Sequence, residues 1–276
     1  MTNAGVRVEH RFIVVDGLRL HCLDLGGTGQ PIICLHGVTG QAWAWHEVAS
    51  RLSGLGRFIG LDLRGHGDSQ WSADAIYSTQ AHVADLAGLI DHLGVAEVDL
   101  IGLSWGALVA LAFAARNPSR VRRLAIVDVE PSFSQSETDI PPRPRVFDSH
   151  ADVVAWERSA NPHASDAMVQ LIASVGTRPG AGGKLERKHD PFFFERWPFR
   201  SDDHWDELPA LTMPTLIVHA EQSWVRGEVT EQMAHRAPRA ELLHVPDSGH
   251  LVPVENPAAL AAGLEPFLAT SPATVA

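Results

Sequence analysis

Short apolar segments alternate with helical segments along most of the chain, and this alternation restricts the possible folds more than any other feature. Most of the apolar segments read as strands that helices cover on both faces of a sheet. They lie at residues 31–35, 57–62, 97–101, 122–128, 214–219 and 240–245. Between them, apolar residues recur at helical spacing, as at Val83, Leu86 and Ile90. Alternating strands and helices predict an α/β fold with a mostly parallel sheet and right-handed crossovers.

A β-hairpin precedes this pattern. Residues 8–15 and 18–25 alternate apolar and polar side chains on either side of Asp16-Gly17, which predicts a type I′ turn. Its two strands and the six segments above predict a sheet of eight strands, flanked by helices.

The alternation stops near residue 131 and resumes near residue 208. No strand stands out between these points, but aromatic residues are frequent there, which argues for packing rather than a loose loop. We therefore expect three parts in the chain. They are a first core part at 1–130, an inserted helical cap at 131–207 and a second core part at 208–276.

Composition and charge exclude several classes of function. A net charge of −11 argues against a nucleic-acid partner. No apolar run reaches the roughly 18 residues of a membrane span, and the start of the chain lacks a signal-peptide stretch. We expect a cytoplasmic protein with a small-molecule substrate and no membrane partner; assembly into a homo-oligomer is left open.

The spacing of histidine and cysteine residues does not indicate a metal site or a redox centre. The 15 histidines include no His-Glu-x-x-His and no His-x-His pattern. Cys22 and Cys34 fall in strand-like stretches and are expected to be buried free thiols. The sequence therefore predicts no metal and no cofactor.

Residues Gly102-Leu103-Ser104-Trp105-Gly106 have the form Gly-x-Ser-x-Gly. An apolar strand precedes them, and an alanine- and leucine-rich helix at 107–115 follows. In that setting the motif forms a nucleophile elbow, a strained turn that exposes the serine at the edge of the sheet. Ser104 is therefore the candidate nucleophile.

A serine hydroxyl needs a base and an oriented acid behind it. His250 follows the last strand and is the candidate base at the same edge of the sheet. Asp128 ends the strand after the Ser104 helix and is the favoured acid. Glu130, two residues further, and Glu221, after the next strand, remain alternatives.

A tetrahedral intermediate also needs two N–H donors. The backbone N–H of Trp105, directly after the nucleophile, is one candidate. The loop His36-Gly37-Val38 follows the strand at 31–35 and is expected to supply the other donor from Val38. Three aromatic residues of the expected cap are candidates for the lining of the substrate pocket: Phe133, Trp156 and Trp197.

Taken together, these motifs resemble the α/β-hydrolase fold superfamily over nearly the whole chain. The resemblance also covers the loop 62–69 and implies an eight-stranded sheet with a cap. One feature departs from the common pattern, because Ser223 stands where most members carry the acid. A subset of the family moves the acid to the earlier strand and uses this serine as a helper, which implies Asp128 as acid and Ser223 in support.

The resemblance implies hydrolysis of a carboxylic ester, lactone or activated amide of a mostly apolar molecule through an acyl-Ser104 intermediate. Similar proteins cleave C–C bonds of vinylogous diketones or catalyse cofactor-free, His/Asp-dependent ring oxygenation, and both stay open as alternatives. A ligand receptor without catalysis is a further reading, disfavoured by the complete residue set. Epoxide hydrolase and dehalogenase activities are disfavoured because those groups carry aspartate where Ser104 stands.

Overall fold

The computed structural model describes residues 8–132, 140 and 142–270. Within these residues, eight strands form one sheet in the order β1-β2-β4-β3-β5-β6-β10-β11. The strands are β1 (Glu9–Val15), β2 (Leu18–Gly26), β3 (Pro31–Leu35), β4 (Arg57–Leu61), β5 (Val98–Leu103), β6 (Val121–Val127), β10 (Thr215–Ala220) and β11 (Ala240–Val245). The eight-stranded α/β sheet is confirmed.

The pairing from β4 to β11 is parallel, whereas β1 pairs antiparallel with β2 and β2 antiparallel with β4. Asp16 and Gly17 join β1 to β2 with φ angles of 48° and 81°. Positive φ at both central residues is the signature of a type I′ turn, so the predicted hairpin is confirmed.

The helices outside the segment between β6 and β10 cover both faces of the sheet. The helices of the described residues are α1 (His46–Leu52), α2 (Thr79–Leu93), α3 (Trp105–Arg116), α4 (His150–Ala160), α5 (Asp166–Val175), α6 (Gly227–Arg236), α7 (Val252–Glu255) and α8 (Pro257–Ala269). Ile33 and Leu35 of β3 pack into the core shared with α2, α3 and α6, whereas Ile32 and Cys34 face the core shared with α1 and α8. No helix of the described residues is both long and apolar enough to cross a bilayer.

The segment between β6 and β10 differs from the expectation of a purely helical cap. It contains α4, α5 and several 3₁₀ turns, but also three short strands. These strands, β7 (Val146–Phe147), β8 (Thr177–Pro179) and β9 (Leu185–Arg187), form a separate antiparallel sheet in the order β7-β9-β8. Strands of two or three residues are too short for a period-two pattern, which is why the sequence did not reveal them.

Candidate active site

Ser104 lies in the sharp turn between β5 and α3, with φ 54° and ψ −125°. A non-glycine residue in this region of the backbone map is strained and is held there by its surroundings. The flanking glycines make the turn sterically feasible. A Cβ on Gly102 would lie 2.4 Å from the carbonyl oxygen of Gly106, and one on Gly106 would lie 2.5 Å from that of His36.

The structure brings His250 against Asp128, although 122 residues separate them in the chain. His250 Nδ1 lies 2.7 Å from Asp128 Oδ2, and the aspartate is fully buried directly after β6. Donation of the Nδ1 proton to this carboxylate leaves Nε2 with its lone pair. His250 and Ser104 line the same cavity.

Two further donors hold the Asp128 carboxylate. The hydroxyl of Ser223 donates to Oδ2 at 2.5 Å, and the backbone N–H of Ala220 donates to Oδ1 at 2.9 Å. Asp128 itself has a φ of 49° at the end of its strand. The end of β10 and the turn after it therefore hold the carboxylate that contacts His250.

The two alternative acids have other partners. Glu130 forms a salt bridge with Arg226 at 2.8 Å, and the bonds from Arg226 lower the pKa of this carboxyl although its burial opposes that shift. Glu221 accepts from the backbone N–H of Asp247 at 3.0 Å. Asp128, rather than either glutamate, is thus the acid that contacts His250.

The loop after β3 approaches the nucleophile through Gly37. A Cβ at Gly37 would lie 2.9 Å from Ser104 Cβ and 3.4 Å from its Oγ, so this approach requires glycine. Val38 follows and lines the cavity. Within the described residues, neither the N–H of Val38 nor that of Trp105 has a recorded acceptor, and Trp105 opens α3, where a helix leaves its N–H groups unpaired.

Two buried histidines, His36 and His66, hold this loop in place, a role that no sequence motif had indicated. His36 Nε2 accepts from the backbone N–H of Leu63, and His66 Nε2 accepts from that of Thr39, each at 3.0 Å. Burial lowers the pKa of both rings, which keeps them neutral and able to accept. In the sequence, the only signal for this role is that glycines adjoin both His36 and His66, as expected where a backbone turns closely.

The Trp105 side chain packs beneath the elbow instead of lining the cavity. It is fully buried, and its Nε1 donates to Thr79 Oγ1 at 2.9 Å. Its ring lies 5.1 Å from that of Phe199 and 4.3 Å from that of His82. Only the backbone N–H of Trp105 is therefore available to the site.

A cavity of about 1210 Å³ opens in front of Ser104. Trp156 and Trp197 line it as expected, whereas Phe133 lies outside the described residues. The cavity is more polar than the sequence suggested. Among the described residues, six cationic side chains line it: Arg143, Arg187, Lys188, Arg200, Arg226 and Arg236.

One group of described residues has the donor atoms of a metal site. Nitrogens of His10 and His21 and a carboxylate oxygen of Asp68 all lie within 4.8 Å of one another. His21 also contacts the Asp62 carboxylate through Nδ1 at 2.7 Å. None of these residues lines the cavity, so the group is separate from Ser104 and His250.

Comparison with known proteins gives a consistent result. A sequence model described as the alpha/beta hydrolase fold matches residues 30–257. A 2-hydroxy-6-oxo-2,4-heptadienoate hydrolase of Pseudomonas putida is 31% identical over 272 residues, which cover 93% of this chain and 94% of that protein. A 2-hydroxymuconate semialdehyde hydrolase of a Pseudomonas species is 30% identical and covers 95% of each chain.

Solved structures agree with the sequence comparison. The crystal structure of an esterase from Mycobacterium tuberculosis superposes with a TM-score of 0.78 at 28% identity. The match covers 96% of this chain and 92% of the esterase. The likeness therefore extends through the core and the segment between β6 and β10.

Proposed function

The chain belongs to the alpha/beta hydrolase fold family of enzymes, and from this we propose that it cleaves a carboxylic ester, lactone or activated amide through an acyl-Ser104 intermediate. The observation that carries the proposal is the contact of His250 Nδ1 with the buried Asp128 at 2.7 Å, in a cavity that Ser104 shares. A serine alone is a poor nucleophile near neutral pH, and this arrangement supplies the base that it lacks.

In the first half of the reaction, Ser104 Oγ attacks the acyl carbon and its proton passes to His250 Nε2. Asp128 stabilises the resulting imidazolium through the Nδ1 hydrogen bond. The N–H groups of Val38 and Trp105 bind the oxyanion of the tetrahedral intermediate, where each such donor contributes about 10²–10³ in rate. The intermediate collapses when His250 returns the proton to the leaving oxygen or nitrogen.

In the second half, a water molecule gives a proton to His250 Nε2 and attacks the acyl-serine carbonyl. The same two backbone donors bind the second oxyanion. Collapse of that intermediate releases the carboxylic acid and restores the Ser104 hydroxyl. Ser223 takes no part in proton transfer in this scheme. It orients Asp128, and through it the imidazole, by the hydrogen bond to Oδ2.

Hydrolysis of a C–C bond is the second candidate, favoured by the two Pseudomonas relatives. Ser104 would attack the ketone of a vinylogous diketone, and the C–C bond would break with a proton passing from His250 to the departing carbon. The acyl-serine would then react with water as above. The same residues serve both reactions, so the substrate decides between them.

Epoxide hydrolysis has weaker support. An epoxide hydrolase of Siraitia grosvenorii is 36% identical, but that match covers only 45% of this chain. Serine at position 104 further argues against an alkyl-enzyme formed on aspartate.

The test combines labelling with turnover. Native protein and Ser104→Ala are treated with a fluorophosphonate probe, and the labelled peptide is identified by mass spectrometry. Both are then assayed with a p-nitrophenyl ester series and a vinylogous diketone. We expect label on Ser104 and turnover in the native protein only. Absence of both label and turnover would refute the proposal, and a much higher kcat/KM for the diketone would favour C–C hydrolysis.

A further inference from the structure

The positive charges that line the cavity are not all paired with carboxylates of the described residues. Lys188 Nζ lies 2.8 Å from Asp68, and Arg187 Nη1 lies 3.2 Å from Glu157. Arg143 has no carboxylate within salt-bridge distance in the described part of the chain. Arg143, Arg187 and Glu157 together therefore carry one positive charge in excess.

Arg143 is positioned beside the proposed oxyanion loop. Its Nη1 donates to the hydroxyl of Thr39, the residue after Val38. Its guanidinium also lies over the ring of Trp197, 5.5 Å from the centroid. Burial, with help from the nearby Arg187, lowers the pKa of Arg143 to about 10, which leaves it charged at neutral pH.

Within the described residues, two buried nitrogens near Arg143 have no hydrogen-bond partner. They are Nη2 of Arg187 and Nε2 of His189, and both residues line the cavity. Burial, together with Arg187 and Arg143, lowers the pKa of His189 to about 3, so this ring is neutral. A buried donor without an acceptor is costly, so this side of the cavity is short of hydrogen-bond acceptors.

The surroundings suit a planar anion. Arg187 is held in place by Glu157, by the carbonyl of Pro144 at 2.9 Å and by the ring of Trp156 at 4.2 Å. The position of its charge next to Arg143 is thus fixed. Guanidinium groups match carboxylates in geometry, and aromatic walls exclude the water that would screen the charge.

We propose that Arg143, reinforced by the neighbouring charge of Arg187, binds a carboxylate carried by the substrate. The substrate class is then a small carboxylic acid that also carries the bond cleaved at Ser104, such as the half-ester of a dicarboxylic acid or an acidic vinylogous diketone. A monoanion would neutralise the one excess charge. This inference rests on the proposed function for the placement of the cleaved bond.

The kinetic test uses matched substrates. Each p-nitrophenyl half-ester of glutarate, adipate and suberate is paired with the p-nitrophenyl diester whose far carboxyl is a methyl ester. We expect the native enzyme to prefer the anionic member of at least one pair. Arg143→Met should lower the anionic-to-neutral ratio of kcat/KM by about 10- to 100-fold, as loss of charged hydrogen bonds implies. Arg143→Lys should restore part of the ratio.

Arg178→Met is the matched control. Arg178 also lies over a tryptophan ring, at 4.6 Å from the centroid of Trp71, but it is exposed and does not line the cavity. We expect this variant to keep the native ratio. If Arg143 served only to pack the loop against Trp197, Arg143→Met would lower both members of each pair equally, and the inference would be overturned.

A binding measurement separates this inference from the proposed chemistry. Ser104→Ala is titrated calorimetrically with monomethyl adipate and with dimethyl adipate. We expect binding of the anion only, and loss of that binding when Arg143→Met is added. Turnover of the esters without any preference for the anionic members would overturn the inference and leave the acyl-serine proposal intact. Anion binding without turnover and without label on Ser104 would support carboxylate binding at Arg143 and refute the acyl-serine proposal.

Discussion

The hydroxyl of Ser223 donates to Asp128 Oδ2 at 2.5 Å, the same oxygen that lies 2.7 Å from His250 Nδ1. A side chain from the turn after β10 therefore fixes the carboxylate that fixes the imidazole. The serine acts on the site through Asp128 and does not reach the substrate cavity itself.

Removal of this hydroxyl should weaken the orientation of Asp128. We expect Ser223→Ala to lower kcat by about 10-fold with little change in KM, since one hydrogen bond to a charged group is lost. The pH–rate profile should shift as well, because the carboxylate loses a donor. Ser174→Ala removes an exposed hydroxyl that bonds only to the Gln170 carbonyl and serves as control. An unchanged kcat and pH profile in Ser223→Ala would contradict the positioning role.

The identity of the acid has a direct test. Asp128→Asn keeps the shape of the side chain and should lower kcat by about 10⁴, whereas Glu221→Ala and Glu130→Gln should retain most activity. Circular dichroism and thermal melting check that the buried substitution leaves the fold intact. High activity of Asp128→Asn with loss in Glu221→Ala would reassign the acid.

Gly37 sets how closely the oxyanion loop approaches the nucleophile. Gly37→Ala places a methyl group 2.9 Å from Ser104 Cβ, so either the loop or the serine must shift. A displacement of this size in an active site costs about 10² in rate, and we expect that loss in kcat with only a small change in Tm. The control is Gly54→Ala, where the added methyl meets nothing within 4 Å. Equal kcat values in the two variants would argue against this loop as a donor of catalytic N–H groups.

His204 should make stability depend on pH. Burial alone would lower its pKa, but the hydrogen bond to Glu207 and the ion pair with Asp202 outweigh burial and raise the pKa to about 9. The unfolded histidine titrates near pH 6.5, so this stabilisation is complete below that pH and is lost as the pH rises to about 9. We expect the free energy of unfolding to fall by about 1–3 kcal/mol over this range.

Denaturant titrations at several pH values measure this effect, with His204→Gln as the variant. The variant should show a smaller fall between pH 6.5 and 9 than the native protein. Parallel curves for the two proteins would exclude His204 as the source. The segment around His204 is tied to the rest of the structure by two contacts. The N–H of His204 donates to the Pro131 carbonyl, and Glu207 forms an ion pair with Arg116 of α3. We expect loss of the His204 charge to weaken this attachment.

The core of the fold could be predicted because each of its strands carries its own local signal. Apolar runs such as 31–35 mark buried strands, and the ends of parallel strands meet at one edge of the sheet. That rule predicts from the sequence alone that His250 and Asp128 lie near each other. It ranked Asp128 above Glu130 only because the former directly ends its strand.

The short strands and the cavity could not be predicted in this way. They depend on contacts between residues far apart in the chain, and the periodicity of a local segment carries no information about such contacts. The strands β7, β8 and β9 are two or three residues long and carry no pattern of their own. Arg143 and Arg187 are 44 positions apart (187 − 143), and no local sequence pattern links them. Their shared cavity, and its excess positive charge, emerge only when the segment between β6 and β10 folds back over Ser104.

Strand β10 lies between β6 and β11, and it follows the segment that interrupts the core. A nascent chain that has left the ribosome only as far as that segment already contains Ser104 and Asp128, but neither the amide of Ala220 nor the ring of His250. Until synthesis passes those residues, Asp128 lacks the hydrogen bond from Ala220, and Ser104 lacks the histidine that we propose as its base. Under the proposed mechanism, a chain that ends before residue 250 should therefore have no hydrolase activity, because the residues that complete the site are the last to be synthesised.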